Sequence, residues 1–466
     1  MTTPLTDPEL SLFLFTFNCG KVPPLGDELT TQLDSVLSTY SSHPSNPQSN
    51  SNSSLTSAST ASLEPDLSNL PELFVFGFQE LSSLLDGTRP NAVNSILISI
   101  SNNILDHLCR KYQLNFEVAS INHNGTVGVI VISTFLSRVT KVQRSVNVNV
   151  GYYFTSTKGA TGVRLTYNSN PNNNLIDTHP DTHTDTHTHH PDHNNFKETE
   201  LTFVVLHLNA NEGLKYMLRR NHDLLSIFRG MKFDDGYSVL KPTAHCFIMG
   251  DFNYRATGAY NIAGPLSVPE DLENDDYELY KDELSLLRKS NVAFRGFDEA
   301  KINFKPTYKF KVGTLKYNTK RKPSWCDRIL YQSYQSHHLA PGEFEGQNEN
   351  ERESELLNGK ADVLEYNSLE NLRISDHIPV YLKIKVPYRA PNAIINGKGY
   401  LVDPWTGFPD NEMYVKPWKT FDHYRRVGAV TDWIFGSGLF LAKTKEGRIS
   451  VVLAAVLVFL LVKIVF

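Results

Sequence analysis

The chain has 466 residues, 40% of them hydrophobic and 20% charged, with a formal net charge of -5. These values suit a globular protein with one large core plus appendages, and the acidic balance excludes a whole-chain electrostatic reason to bind nucleic acid. The four cysteines (Cys19, Cys109, Cys246, Cys326) form no CxxC pair and follow no secretory signal, so neither a zinc site nor a disulfide framework is expected.

In chain order, the apolar runs "LFLFTFN" (12–18), "LFVFGFQE" (73–80), "VGVIVIS" (127–133), "LTFVVLHLN" (201–209), "HCFIMGDFN" (245–253) and "PVYLKIKV" (379–386) read as strands. Several are apolar at successive positions, which predicts layers covering both faces. Residues 91–112 place Val93, Ile96, Leu97, Ile100, Ile104 and Leu108 at helical spacing, and residues 212–230 do so with Leu214, Met217, Leu218, Leu225 and Phe228. An α/β domain over residues 1–388 is expected, interrupted near 41–64 (Ser/Asn/Thr), 168–195 (Asn/Asp/Thr/His) and 343–355 (Glu-rich), where apolar content is too low for ordered structure. The six histidines between His179 and His193 belong to a "DTHTDTHT" repetition and read as low complexity rather than a metal site.

Residues 389–448 form a Pro/Gly-containing connector in which Trp433, Phe435 and Phe440 suit a bilayer interface and Asp432 argues against a span. The stretch "ISVVLAAVLVFLLVKIVF" (449–466) then has no polar face, and its 18 residues would span about 27 Å as a helix, the thickness of a thin bilayer. Lys443, Lys445 and Arg448 precede it. The expectation is a C-terminal tail anchor in the endoplasmic reticulum membrane, with the preceding domain facing the cytosol.

Apolar runs here repeatedly end in carboxylate, amide or imidazole: Asn18 in "TFNCG", Gln79 and Glu80 in "GFQE", His207 in "LHLN", Asp251 and Asn253 in "GDFNYR", Asp376 and His377 in "SDHIPV". Strand ends of this composition build one polar site at a sheet edge. Glu80 and Asn18 offer hard oxygen ligands for Mg²⁺, which leaves positions open for phosphate and water. Asp251 is placed to take a proton from the attacking water, and Asn253 to orient that water or a phosphoryl oxygen. Asp327, in "KPSWCDRILY", is expected to bond His377 and favour its cationic form. Residues 301–328 hold nine Lys or Arg against one acid, with Tyr308 interleaved, which suits a polyanionic ligand; Lys158 in "TKGATG" supplies another cation.

Together, "TFNCG", "GFQE", "KGA", "HLNANEG" with "RRNHD", "GDFNYR", "PTYKF", "RKPSWCDRIL" and "SDHIPV" resemble the inositol polyphosphate 5-phosphatases of the endonuclease/exonuclease/phosphatase superfamily, in the family's order over roughly residues 10–388. With its apolar tail the chain looks most like tail-anchored endoplasmic-reticulum members. The resemblance implies a four-layer α/β/β/α sandwich of DNase I type, Mg²⁺ dependence and removal of the 5-phosphate of phosphatidylinositol 4,5-bisphosphate. It implies metal ligation by Glu80 with Asn18 nearby, and catalysis by Asp251, Asn253 and His377 with Asp327. It places Tyr308, Lys309 and Arg321 on the 4-phosphate, and Lys158, His207, Tyr254, Arg255 and Asp376 with the substrate-binding set. Phe17 and Phe252 stand where many members have Trp and Leu, and both keep an apolar strand position. The partners expected are a phosphoinositide lipid and a membrane, not nucleic acid, with the protein a monomer. The alternatives are an Mg²⁺-dependent nuclease of the same superfamily, or a catalytically inactive phosphoinositide-binding tether.

Overall fold

The computed structural model describes residues 9–37, 70–169, 198–256, 279–290, 292–334, 360–391, 394 and 417–465. The expected inserts at 41–64 and 343–355, and that at 168–195 beyond its first two residues, lie outside the described residues.

Two sheets carry the domain. The first runs β12 (Asp362–Ser368), β13 (Val380–Pro387), β1 (Glu9–Asn18), β2 (Leu73–Gln79), β4 (Val127–Ser133) and β3 (Glu117–Asn124). The second runs β10 (Phe297–Asp298), β11 (Asp327–Gln332), β9 (Ala244–Asp251), β8 (Glu198–His207), β7 (Gly159–Asn168) and β5 (Val139–Arg144), with β6 (Val148–Asn149) also on β7. Only β1 with β2 and β8 with β9 run parallel among the described pairs.

The period of a strand explains the layering. Along β1, Leu10, Leu12 and Leu14 face the second sheet, meeting a cluster that includes Phe203, Val205, Phe247 and Met249. Phe13, Phe15 and Phe17 point the other way, to Leu29 and Leu33 of α1 (Glu28–Leu37) and to Leu97, Ile100 and Ile104 of α3 (Pro90–Tyr112), which follows the short α2 (Leu84–Gly87). On the far side, Val204 and Leu206 meet Met217, Leu224, Ile227 and Phe228 of α4 (Leu214–Gly230), and Leu284 and Leu287 of α5 (Glu283–Lys289). The order is helix, sheet, sheet, helix. Cutting a fully buried ring such as Phe15 to Ala would cost about 3–5 kcal/mol.

The connector is more than a spacer. Residues Thr420–Lys443 form a helix that lies on the domain, with Phe421 in the α4 cluster, Tyr424 stacked on Phe154 (ring centroids 4.4 Å) and Arg425 Nη2 donating to the Gly230 carbonyl (2.8 Å). A second helix, Lys445–Val465, follows it. Among the described residues no helix is long and apolar enough to cross a membrane; the last side chains of the expected span 449–466 lie outside the described residues.

Candidate active site

Strand ends assemble the site. β1 ends at Asn18, β2 runs into Glu80, β8 ends at His207 and β9 at Asp251, while β11 begins at Asp327, opposite Asp251 in the antiparallel register. Gly250 permits the last step of β9. At φ 143° it presses on the Leu206 carbonyl, where a Cβ would collide.

Asp251 is the hub. Its Oδ2 accepts from Asn18 Nδ2 (2.9 Å) and lies 3.2 Å from His207 Nε2, and its Oδ1 accepts from the Asn253 backbone N–H (2.9 Å). Burial pushes this carboxyl's pKa up, but the hydrogen bond and positive potential from His207, with His377 and Lys158, outweigh burial and hold it well below the usual carboxylate range. Asp251 is therefore ionised at neutral pH.

His377 faces Asp251. Its Nδ1 lies 2.9 Å from Asp327 Oδ2, its Nε2 4.0 Å from Asp251 Oδ2, and its ring 4.7 Å from that of Tyr308. Thr307 Oγ1 donates to the same Asp327 oxygen (2.7 Å), and Ser375 Oγ accepts from the His377 backbone N–H (3.2 Å). Burial alone would lower the imidazole's pKa, but the charge and hydrogen bond of Asp327, then Asp251 and Asp376, raise it to about 9. Asp327 is raised as well, chiefly by burial, so the pair as a unit keeps its proton through neutral pH.

Lys158 Nζ touches the His207 ring and lies 3.9 Å from Glu80 Oε1. Burial lowers the pKa of both Lys158 and His207, and the ammonium lowers that of His207 further. Glu80 (φ 47°) and Asn253 (φ 57°) both adopt left-handed backbone conformations, which side-chain-bearing residues take at a cost and which concentrate at functional sites. Asn253 Nδ2 donates to the Leu208 carbonyl (3.0 Å) and its Oδ1 accepts from Arg255 Nη2, leaving one amide hydrogen of its own. The Arg255 guanidinium in turn lies 4.4 Å over the Tyr308 ring.

Two groupings offer metal donors. Asp251, Asp327 and His377 have ligand atoms within 4.8 Å of one another, yet Asn18, His207, Asn253, Thr307 and His377 already occupy three of the four carboxylate oxygens. Of these four oxygens, Asp327 Oδ1 is the one buried without a partner. Glu80 and Asn18 fit a hard cation better. The Glu80 carboxylate is part exposed and stands 3.9 Å from both Lys158 Nζ and His207 Nε2, beyond hydrogen-bond length, while Asn18 Oδ1 accepts one bond, from Gly20 N (3.0 Å), and keeps a second lone pair.

The structure brings Asn18, Glu80, Lys158, His207, Asp251, Asn253, Asp327 and His377 together, with Arg255, Tyr308, Lys309 and Asp376 at the edge. Lys309 Nζ pairs with Asp376 Oδ2. Two residues of the expected substrate set sit apart. Tyr254 is fully buried, its hydroxyl bonded to Asn221 and the Arg220 guanidinium over its ring, so it packs behind the site rather than lining it. Arg321 is exposed, and among the described residues its side chain makes no hydrogen bond or ion pair with the cleft residues; its backbone N–H closes a turn on Asn318 O (3.1 Å). Thr307 and Ser375 were not singled out from sequence, although each lies within a quoted motif beside a residue that was.

The family described as Endonuclease/Exonuclease/phosphatase family 2 matches residues 192–383. Type I inositol polyphosphate 5-phosphatase 8 of Arabidopsis thaliana is 34% identical over 149 residues, 29% of this chain and 30% of its own length. Phosphatidylinositol 4,5-bisphosphate 5-phosphatase INP51 of Saccharomyces cerevisiae is 31% identical over 192 residues, 40% of this chain and 17% of its own. This chain thus spans under a third of the length of these curated relatives. Among solved structures, the inositol polyphosphate 5-phosphatase domain of SpSynaptojanin, in complex with inositol (1,4)-bisphosphate and calcium ion, superposes with a TM-score of 0.52 at 20% identity, covering 82% of this chain and 85% of that one. That likeness shows the expected sandwich fold. With the ordered motifs beside them, the family match over residues 192–383 and the similar sequences support the inositol polyphosphate 5-phosphatase family of the endonuclease/exonuclease/phosphatase superfamily.

Proposed function

We propose that this protein is an Mg²⁺-dependent phosphoinositide 5-phosphatase that converts phosphatidylinositol 4,5-bisphosphate to phosphatidylinositol 4-phosphate. The observation that carries this reading is the facing pair at the strand ends: an ionised Asp251 with His377 Nε2 4.0 Å away, the latter bonded through Nδ1 to Asp327. A base and a cation across a gap of that size suit attack of water on a phosphoryl group.

Glu80 and Asn18 would hold the ion, which when bound polarises the phosphoryl group. The chain's own residues do the rest. Asp251 takes a proton from water, and its Oδ2 is kept in place by Asn18 and His207. Asn253 turns its remaining amide hydrogen to the water or a phosphoryl oxygen. His377, fixed by Asp327, sets positive charge where negative charge grows on phosphorus oxygens. Lys158 neutralises a phosphate beside Glu80. Lys309 and Tyr308 meet the neighbouring 4-phosphate, joined by Arg321 from the exposed turn. The name of the yeast relative supports the bisphosphate lipid as substrate.

The same reading takes the chain as a monomer held at the endoplasmic reticulum membrane by residues 449–466, domain toward the cytosol. What supports the membrane attachment is the apolar composition of that stretch, whose one charged residue is Lys463 near its far end, behind Lys443, Lys445 and Arg448. The deciding experiment gives the full chain, in detergent, phosphatidylinositol 4,5-bisphosphate, the 3,4,5-trisphosphate lipid, inositol 1,4,5-trisphosphate and duplex DNA, each with Mg²⁺ and with EDTA. Mg²⁺-dependent phosphate release, fastest on the bisphosphate lipid, is expected. DNA cleavage in its place, or no release from any inositol substrate, would overturn the assignment.

A further inference from the structure

The helix Thr420–Lys443 follows the last strand of the sandwich, yet it grips a turn that leads into the cleft. Residues 151–158 leave β6 and end at Lys158. Asp432, on that helix, accepts the Ser156 backbone N–H with both carboxylate oxygens (3.0 and 3.1 Å). One turn up the helix, Gly428 lies against the Phe154 carbonyl so closely that a Cβ would collide, and Tyr424 stacks flat on the Phe154 ring. Tyr153 (φ 54°) and Phe154 (φ 61°) both carry left-handed backbone, a conformation that residues with a Cβ keep only where their surroundings impose it.

The domain holds the base of this turn. Val150 N donates to the Lys158 carbonyl (2.9 Å), while Asn209 and Arg219 donate to the Val150 carbonyl (3.0 Å each). At the tip the domain adds Asn149 Nδ2, which donates to the Phe154 carbonyl (2.9 Å), and Gly125, which packs against Ser156. The Ser156 backbone N–H, two residues from Lys158, is held by Asp432 of the helix.

We propose that Asp432 is a positioning residue for the active site: through it the helix Thr420–Lys443 fixes the 151–158 turn and thereby the place of Lys158 beside Glu80 and His207. The inference rests on the site reading above for what Lys158 does. It makes the connector part of the catalytic unit, so a chain ended at residue 430 lacks a piece of its own site.

The test uses the full chain in detergent with soluble inositol 1,4,5-trisphosphate, so that membrane attachment plays no part. Asp432→Ala is expected to lower kcat/KM about tenfold, and Asp432→Asn, which keeps one acceptor oxygen, to stay within about twofold of the parent. Amide exchange across 151–158 should quicken about tenfold in the Ala variant alone. In a Lys158→Ala background the Asp432→Ala loss should disappear, since both changes remove the same placement. Unchanged kinetics and exchange in Asp432→Ala, or a loss that multiplies with that of Lys158→Ala, would overturn the proposal. Should the parent chain release no phosphate, the site reading is what fails, and exchange alone then decides whether the helix holds the turn.

Discussion

The floor of the cleft and its rim are made differently. On the floor, Asp251, Asp327 and His377 are 1%, 0% and 4% exposed, stand at strand ends or beside them, and spend nearly every polar atom on one another or on Asn18, His207 and Thr307. On the rim, Lys311, Lys316, Lys320, Arg321 and Lys322 lie in solvent on a loop closed by turn bonds such as Asn318 N to Lys309 O (2.7 Å) and Lys311 N to Lys316 O (2.8 Å). Groups that act on reacting atoms need fixed geometry and a low local dielectric, because their worth falls steeply with misplacement and with water. Cations that read a polyanion act over a longer range and can sit on a loop. Floor mutations should therefore affect every substrate alike, and rim mutations should separate substrates.

The largest effect tests the floor. Asp251→Ala or His377→Ala is expected to lower kcat by about 10²–10⁴-fold on lipid and soluble substrates alike, with the fold retained by circular dichroism. EDTA should do the same to the parent, and Mg²⁺ should reverse it. Near-parental turnover in either variant would break the comparison at its base.

Next comes pH. His377 has a folded pKa raised to about 9 from the usual 6.5, so its protonation stabilises the fold fully below 6.5 and that contribution is lost as pH rises through about 9. The urea midpoint should fall across this window by the equivalent of at most about 3 kcal/mol, and turnover should fall with it. In His377→Asn the slope should flatten. An equal slope in that variant would assign the loss to other groups.

The rim gives a smaller and selective effect. Replacing Lys309 and Arg321 together with Ala should cost about tenfold in kcat/KM on the 4,5-bisphosphate and little on a substrate with no 4-phosphate. Equal losses on both would reduce the rim to general electrostatics. Arg321 alone is the sharper probe, because its exposed side chain must move onto the ligand whereas Lys309 is already held by Asp376.

Much of the floor was legible in the sequence because buried strands must be apolar and the polar residue that ends each one stands out. "VGVIVIS" is β4 residue for residue, and "LFVFGFQE" differs from β2 only by Glu80. β7, "GATGVRLTYN", does not read as a buried strand because its Arg164 looks like a surface residue; in the fold Arg164 is fully buried, with Asp235 and the Ser238 carbonyl as partners. α1, "ELTTQLDSVL", hides its Leu29, Leu33 and Val36 stripe among Thr and Ser. The Asn18 to Asp251 bond joins residues 233 apart, and no local pattern encodes it. Tyr254 shows the opposite error: a motif neighbour of Asn253 reads as functional, yet the left-handed turn at Asn253 sends its ring into the α4 cluster. From sequence the docked helix reads as part of a connector, because an amphipathic pattern does not name the surface it packs on.

The smallest expected effect lies farthest from the floor. Ending the chain after residue 448 removes the apolar stretch but leaves Thr420–Lys443, whose Asp432, Tyr424 and Gly428 hold the 151–158 turn without it. Turnover of soluble inositol 1,4,5-trisphosphate should then stay within about twofold of the full chain, because no contact of the floor is lost. Hydrolysis of bilayer lipid in cells should fall, since a tethered enzyme meets its substrate at a much higher effective concentration than a free one. Ending the chain after residue 416 removes the docked helix too, and soluble turnover should now fall to the level of Asp432→Ala. Fractionation on alkali-washed membranes reads the first cut and phosphate release reads the second. A 448-residue chain that still pellets would remove the anchor, and one that loses soluble turnover would place part of the site beyond the docked helix.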